Sequence, residues 1–217
     1  MATIERTEER GGPPATPPPH DGHGGHEEPT ATGVTNTKLG IWLFLSSDCL
    51  FFGAFISAYL LYRGRPQSGP KPSKVYDIPF TSVTSFVLLM SSLTMVLALA
   101  AIQRGDYRRL RIWLFATAAL GATFISGQVF EFTEFSRKGL DLSSNLFGST
   151  FFVLTGFHGA HVTVGIIWLL SLWAMATQGR LKQRDAQKVE IAGLYWHFVD
   201  VVWIVIFTVV YLVPQSR

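Results

Sequence analysis

Phe147 to Met175, FGSTFFVLTGFHGAHVTVGIIWLLSLWAM, is apolar and long enough to cross a bilayer, yet it holds Thr150, Thr155, Gly156, His158, Gly159, His161 and Thr163. A helix that faces only lipid does not carry such residues. At about 1.5 Å per residue, His158 and His161 lie roughly 17 to 21 Å from Phe147, near the middle of a ~30 Å hydrocarbon layer. Three residues apart, the two imidazoles share one helix face, and at that depth the face must meet protein. The remainder of the chain reads as helices that give these side chains a polar, protein-lined interior.

The 217 residues are 48% hydrophobic and 15% charged, whereas soluble domains carry about 25% charged residues. Charge is confined to short patches between five apolar runs, so the fold class is an all-α polytopic membrane helix bundle with five transmembrane helices. The spans are expected at about 38–62, 80–102, 112–135, 147–176 and 190–213, within a membrane domain covering 35–217. The net charge of +3 is spread over the loops, and no nucleic-acid partner is expected. Cys49 is the one cysteine and offers neither an internal disulfide nor a thiolate metal site.

Residues 1–34 are rich in Pro, Gly, Thr, Glu and His and lack the apolar core of a signal peptide. Such a composition buries too little apolar surface to fold, so a disordered tail is expected. His20, His23 and His26 either hold a metal weakly or are simply solvated.

In the first span, preceded by possible N-caps at Thr35, Asn36 and Thr37, Asp48 sits about 15 Å deep. A bare carboxylate is costly there and requires protonation, a partner or a polar cavity. Gly53 and Ser57 form a small-xxx-small pair suited to close helix approach, as do Gly156 and Ala160 in the fourth span. Pro79 opens the second span, which carries no charge and reads as a packing helix. The third ends in Gln128, Glu131 and Glu134, spaced to share a face that is either interior or merely interfacial. The last carries Tyr195, Trp196, His197, Asp200 and Trp203, with Asp200 again about 15 Å from Glu190.

Of the Lys and Arg residues, eleven fall in the N-terminal tail, at Lys38 where the first span starts, in 104–111 and in 180–188, and seven on the opposite side. By the positive-inside rule the N-terminus is expected inside and the C-terminus outside.

Three kinds of chemistry suit these buried groups. A b-type haem would need His197 opposite His158 or His161, but His197 has bulky aromatic neighbours and there is no second histidine pair for electron transfer. Copper or zinc lacks a cysteine pair or a three-histidine cluster on compatible turns. Carboxylates at mid-depth also mark ion pathways, although no inverted repeat or broken span accompanies them. In the third case Asp48, His158, His161, His197 and Asp200 hydrogen-bond across helix interfaces and fix the bundle.

Two long motifs carry a specific resemblance. Gly148-Ser149-Thr150-Phe151-Phe152-Val153-Leu154-Thr155-Gly156-Phe157-His158-Gly159-Ala160-His161-Val162, followed by Tyr195-Trp196-His197-Phe198-Val199-Asp200-Val201-Val202-Trp203, resembles subunit III of the haem-copper terminal oxidases, the cytochrome c oxidase subunit 3 family. The likeness extends through Leu43 to Phe52 and Gln128 to Glu131, and covers about Lys38 to Val213.

The resemblance implies a subunit with no catalytic, cofactor-binding or metal-binding residue of its own. It implies docking on oxidase subunit I, with subunit II and with or without a subunit IV in the complex. Haem and copper would lie in those partner subunits, where oxygen is reduced and protons are pumped. Subunit III would sustain proton uptake, stabilise subunit I and bind structural phospholipid in a cleft, within a bacterial plasma membrane.

Two departures stand out. The buried acid of the first motif is usually glutamate in the family, and Asp48 is one methylene shorter. The chain also begins at the equivalent of the third span of seven-helix members, as short bacterial and quinol oxidase forms do, so a lipid-filled groove is expected along the first span. Matched depth further leads us to expect Asp48 to meet His161, or failing that His158, as a buried acid–imidazole pair.

Overall fold

A computed structural model describes residues 36–63, 78–137 and 146–213. The expected N-terminal tail, with its three histidines, lies outside them. Among the described residues the structure is all helical: α1 (Asn36–Arg63), α2 (Ile78–Gln103), α3 (Tyr107–Arg137), α4 (Leu146–Thr177) and α5 (Ala186–Phe207). All five are long and apolar enough to cross a membrane.

The helices α2 to α5 form a closed ring in which α2 packs on α3, α3 on α4, α4 on α5, and α5 back on α2. α1 lies outside this ring against α4 and α5, touching them through side chains. The ring is centred on Leu88, Met95, Ile102, Leu110, Leu114, Phe124, Leu154, Val162, Trp196, Trp203 and Ile206, all essentially inaccessible. Surrounding lipid is as apolar as these side chains, so van der Waals packing and interhelical hydrogen bonds must hold the ring together.

Two helices begin earlier than their hydropathy suggests, α3 at Tyr107 and not Ile112, and α5 at Ala186 and not Glu190. Polar capping explains the first. Gly105 takes a left-handed φ of 73°, which ends α2, and the Asp106 carboxylate accepts from the Arg109 amide at 3.0 Å. Arg108, Arg109 and Arg111 therefore lie on a helix, and the expected eight-residue loop is only Arg104 to Asp106. Gly179, φ 70°, ends α4 in the same way. A 3-10 turn, Gln183–Asp185, then leads into α5.

These two connections are stitched together. The Gln183 side chain donates to the Gln103 carbonyl at 2.6 Å, and the Gln183 amide donates to the Tyr107 hydroxyl at 3.3 Å. At its other end α5 widens into a π-turn, Thr208–Leu212, where the Val213 amide reaches back to the Thr208 carbonyl at 3.0 Å. This turn buries Val210 and Tyr211.

The expected small-residue contacts need correction. A Cβ added at Gly53 or Gly156 would meet nothing within 4 Å, so neither pair seats a helix of this chain. Both glycines sit away from the ring contacts. Helices approach closely instead at Gly121 and Gly165, where an added Cβ would come to 2.6 Å and 2.9 Å from the Trp196 ring. A bulky indole between two glycine faces sets the spacing of α3, α4 and α5.

Candidate functional site

The polar groups fall into three clusters, each spanning two or more helices. In the first, α1 brings Asp48 to α4, where Asp48 Oδ2 lies 3.6 Å from His161 Nε2. This is ion-pair range and longer than a hydrogen bond. The other ring nitrogen of His161, Nδ1, is anchored to the Phe157 carbonyl one turn back at 2.8 Å. That fixes the ring so that Nε2 points at α1. Phe52 packs edge-on to His161 at 5.0 Å, and the Tyr195 hydroxyl of α5 donates to the His161 carbonyl at 3.0 Å. Apolar and hydrogen-bonded neighbours thus surround a lone acid–imidazole contact.

His158, the other expected partner of Asp48, is placed elsewhere. It is wholly buried, stacked on Trp203 at 4.8 Å and edged by Phe124 at 5.9 Å and Phe52 at 6.5 Å. Neither of its ring nitrogens has a hydrogen-bond partner among the described residues. The reason for the divergence is angular. Residues three apart on a helix differ by about 60° around its axis, so His161 turns toward α1 while His158 turns into the aromatic centre of the ring.

The second cluster joins α2 to α5. Ser92 bridges both polar residues of the last span: its hydroxyl lies 2.9 Å from His197 Nδ1 and donates to Asp200 Oδ2. The other carboxylate oxygen of Asp200 has no hydrogen-bond partner among the described residues. Asp200 is thus paired with a serine of α2 and not with a histidine of α4. Nearby, Trp196 Nε1 donates to Ser91 Oγ and Trp203 Nε1 to Ser85 Oγ, each at 2.8 Å. The helix expected to be mere packing supplies a serine to each of these contacts.

The third cluster lies toward the end of α3. Gln128, buried, donates from Nε2 to the Thr155 carbonyl of α4 at 2.7 Å. Glu131, also buried, accepts from the Thr81 hydroxyl of α2. Tyr211 of the π-turn hydrogen-bonds the same threonine and interacts with both Glu131 and Tyr59 of α1. Gln128 and Glu131 are therefore interior and not interfacial, while Glu134 is half-buried.

Sequence reasoning missed Ser92, Thr81 and Tyr211. Serine and threonine also satisfy themselves on their own helix, as Ser82 does on the Ile78 carbonyl, so composition alone does not single out the ones that reach across. The spacing of Asp200 and His197 signalled that a partner was needed, but not which helix held it. Among the described residues no three of His, Cys, Asp and Glu are grouped to hold a metal ion.

Geometry thus defines the class as a polytopic membrane bundle whose buried ionisable groups meet between helices. The particular family follows from comparison. The chain matches the family model described as cytochrome c oxidase subunit III over residues 20–214, and it belongs to that family. It is 37% identical to cytochrome c oxidase subunit 3 of Bacillus sp. (strain PS3), covering 82% of this chain and 86% of the relative. It is 38% identical to the protein of that name from Thermostichus vulcanus, over 82% and 87%. It is also 36% identical to quinol oxidase subunit 3 of Bacillus subtilis (strain 168), over 89% and 96%.

Proposed function

We propose that this chain is the non-catalytic subunit III of a proton-pumping haem-copper oxidase, a cytochrome c oxidase of aa3 type in aerobic respiration. It works in a bacterial plasma membrane, N-terminus inside and C-terminus outside. It docks on subunit I, where oxygen is reduced, in a complex whose partner subunits hold the haem and copper. Its own residues bind no redox centre. Its part is to support proton uptake and stability of subunit I and to hold structural phospholipid.

The observation that carries this reading is the Asp48–His161 contact at 3.6 Å, inside a motif that the family match covers. A carboxylate and an imidazole that far apart exchange a proton through small side-chain movements or one water, without a metal between them. Asp48 sits on α1, whose other side carries the exposed Trp42, Leu43 and Leu50. That side suits the lipid groove. A quinol oxidase is the second reading, favoured by the Bacillus subtilis relative, whose match is longer than those of the two cytochrome c oxidase subunits.

The test is the whole oxidase purified with Asp48→Ala. The expected result is an unchanged haem spectrum and initial turnover near the wild-type rate, with activity decaying several times sooner during turnover. Loss of a haem band overturns the non-catalytic assignment, and an unchanged lifetime overturns the role of Asp48. Oxidation of reduced cytochrome c against that of quinol by the same preparation separates the two oxidase types.

A further inference from the structure

At the end of the bundle where α3 begins and α4 finishes, an open groove of about 450 Å³ is lined by Arg108, Arg111, Ile112, Phe115, Trp173 and Thr177. A second recess of about 310 Å³ continues from Arg111 and Thr177 to Lys182. The groove is ordered by charge. It joins two arginines one turn apart on α3 to an apolar wall in which Phe115 and Trp173 are in ring contact at 5.6 Å.

The carboxylates nearest this end are already engaged: Asp106 with Arg109 at 3.3 Å and Asp185 with Lys188 at 2.9 Å. Arg108 and Arg111 form no ion pair among the described residues. Arg111 is partly fixed, because its Nε donates to the Tyr107 carbonyl at 3.1 Å, which leaves its terminal nitrogens available to a ligand. The stitching of Gln183 to Gln103 and Tyr107 holds the two connections, and so the far wall, in place.

We propose that this groove is a binding site for one anionic phospholipid. The phosphate lies on Arg108 and Arg111, with Lys182 at the edge, and the acyl chains run along Ile112, Phe115 and Trp173. A free phosphate would have no use for the apolar wall, and a zwitterionic lipid would gain little from two unpaired guanidinium groups. Eight of the basic residues lie at this end, in 104–111 and 180–188, the arrangement that draws anionic headgroups of the cytoplasmic leaflet. The site is separate from the groove along α1 and does not depend on the oxidase assignment.

The test uses the intact complex containing this chain, in nanodiscs, with a phosphatidylglycerol carrying a photoreactive group on its acyl chain. Crosslinks are expected on the peptides that hold Phe115 and Trp173. Near a membrane surface each cation contributes roughly a fivefold gain in affinity, so R108Q together with R111Q lowers apparent affinity by about 30-fold. Arg111→Lys should retain most labelling, and Arg104→Gln, a control at the same end, should leave it unchanged. The site is overturned by equal labelling from phosphatidylcholine, by labelling insensitive to the double substitution, or by an acidic segment of another subunit found in the groove.

Discussion

The Trp196 indole is held from two sides by Gly121 and Gly165 and from a third by Ser91 on its Nε1. A methyl group at either glycine would meet the ring at less than van der Waals distance, and the hydrogen bond keeps the ring from yielding. Gly121→Ala or Gly165→Ala should therefore each cost about 1–3 kcal/mol of stability through overpacking. Gly156→Ala, with open space around it, should stay within about 0.5 kcal/mol. Unfolding of the detergent-solubilised chain in a titration with a denaturing surfactant measures both. Trp196 and the glycines were visible in sequence, but their partnership was not, because spacing along one helix says nothing of which neighbour a small residue admits. Depth was more informative: Asp48 and His161 stand at matched positions in their spans, and the structure brings them to 3.6 Å. Depth could not tell His161 from His158, since both lie near mid-membrane and differ only in direction around the axis.

Among the elements, α1 and α5 are opposites. In its most apolar window α1 is 11% buried within the chain, whereas α5 is 50% buried. α1 is tied to the rest by the Lys38–Glu190 pair at 2.8 Å, the Asp48–His161 contact and a run of phenylalanines against Phe157 and the two histidines. The partly exposed ion pair contributes little. In the solubilised chain, hydrogen exchange measured by mass spectrometry should therefore reach α1 before α5, because the least packed element opens at lowest free energy. Comparable protection in both would show α1 to be held by more than these contacts. Hydropathy located all five helices within a few residues in their apolar parts. It failed where polar chemistry sets the ends, as at Asp106, whose carboxylate caps three arginine-bearing residues into α3.

For the whole molecule, five spans put the two ends of the membrane domain on opposite sides of the bilayer. The eleven-to-seven distribution of basic residues then predicts the N-terminus inside. A reporter that works only outside the cytoplasm should be active when fused after Arg217 and silent when fused before Met1; the reverse pattern would invert the orientation. The closed ring of α2 to α5 was beyond sequence reasoning, because α2 was without a visible partner until Ser85, Ser91 and Ser92 were seen to accept or bridge the polar groups of α5. The resemblance in the two long motifs identified the family well before any geometry could.

The wide turn at the end of α5 has a bearing on how this chain tolerates change. A π-turn holds one residue more than the α-turn it replaces, so removing one residue from Thr208 to Val210 would restore a regular helix and leave Tyr211 on the threonine it shares with Glu131. Length in that short segment is thus constrained less tightly than the identity of its tyrosine: a single-codon loss ahead of Tyr211 is absorbed, and an exchange of Tyr211 that removes the hydroxyl is not.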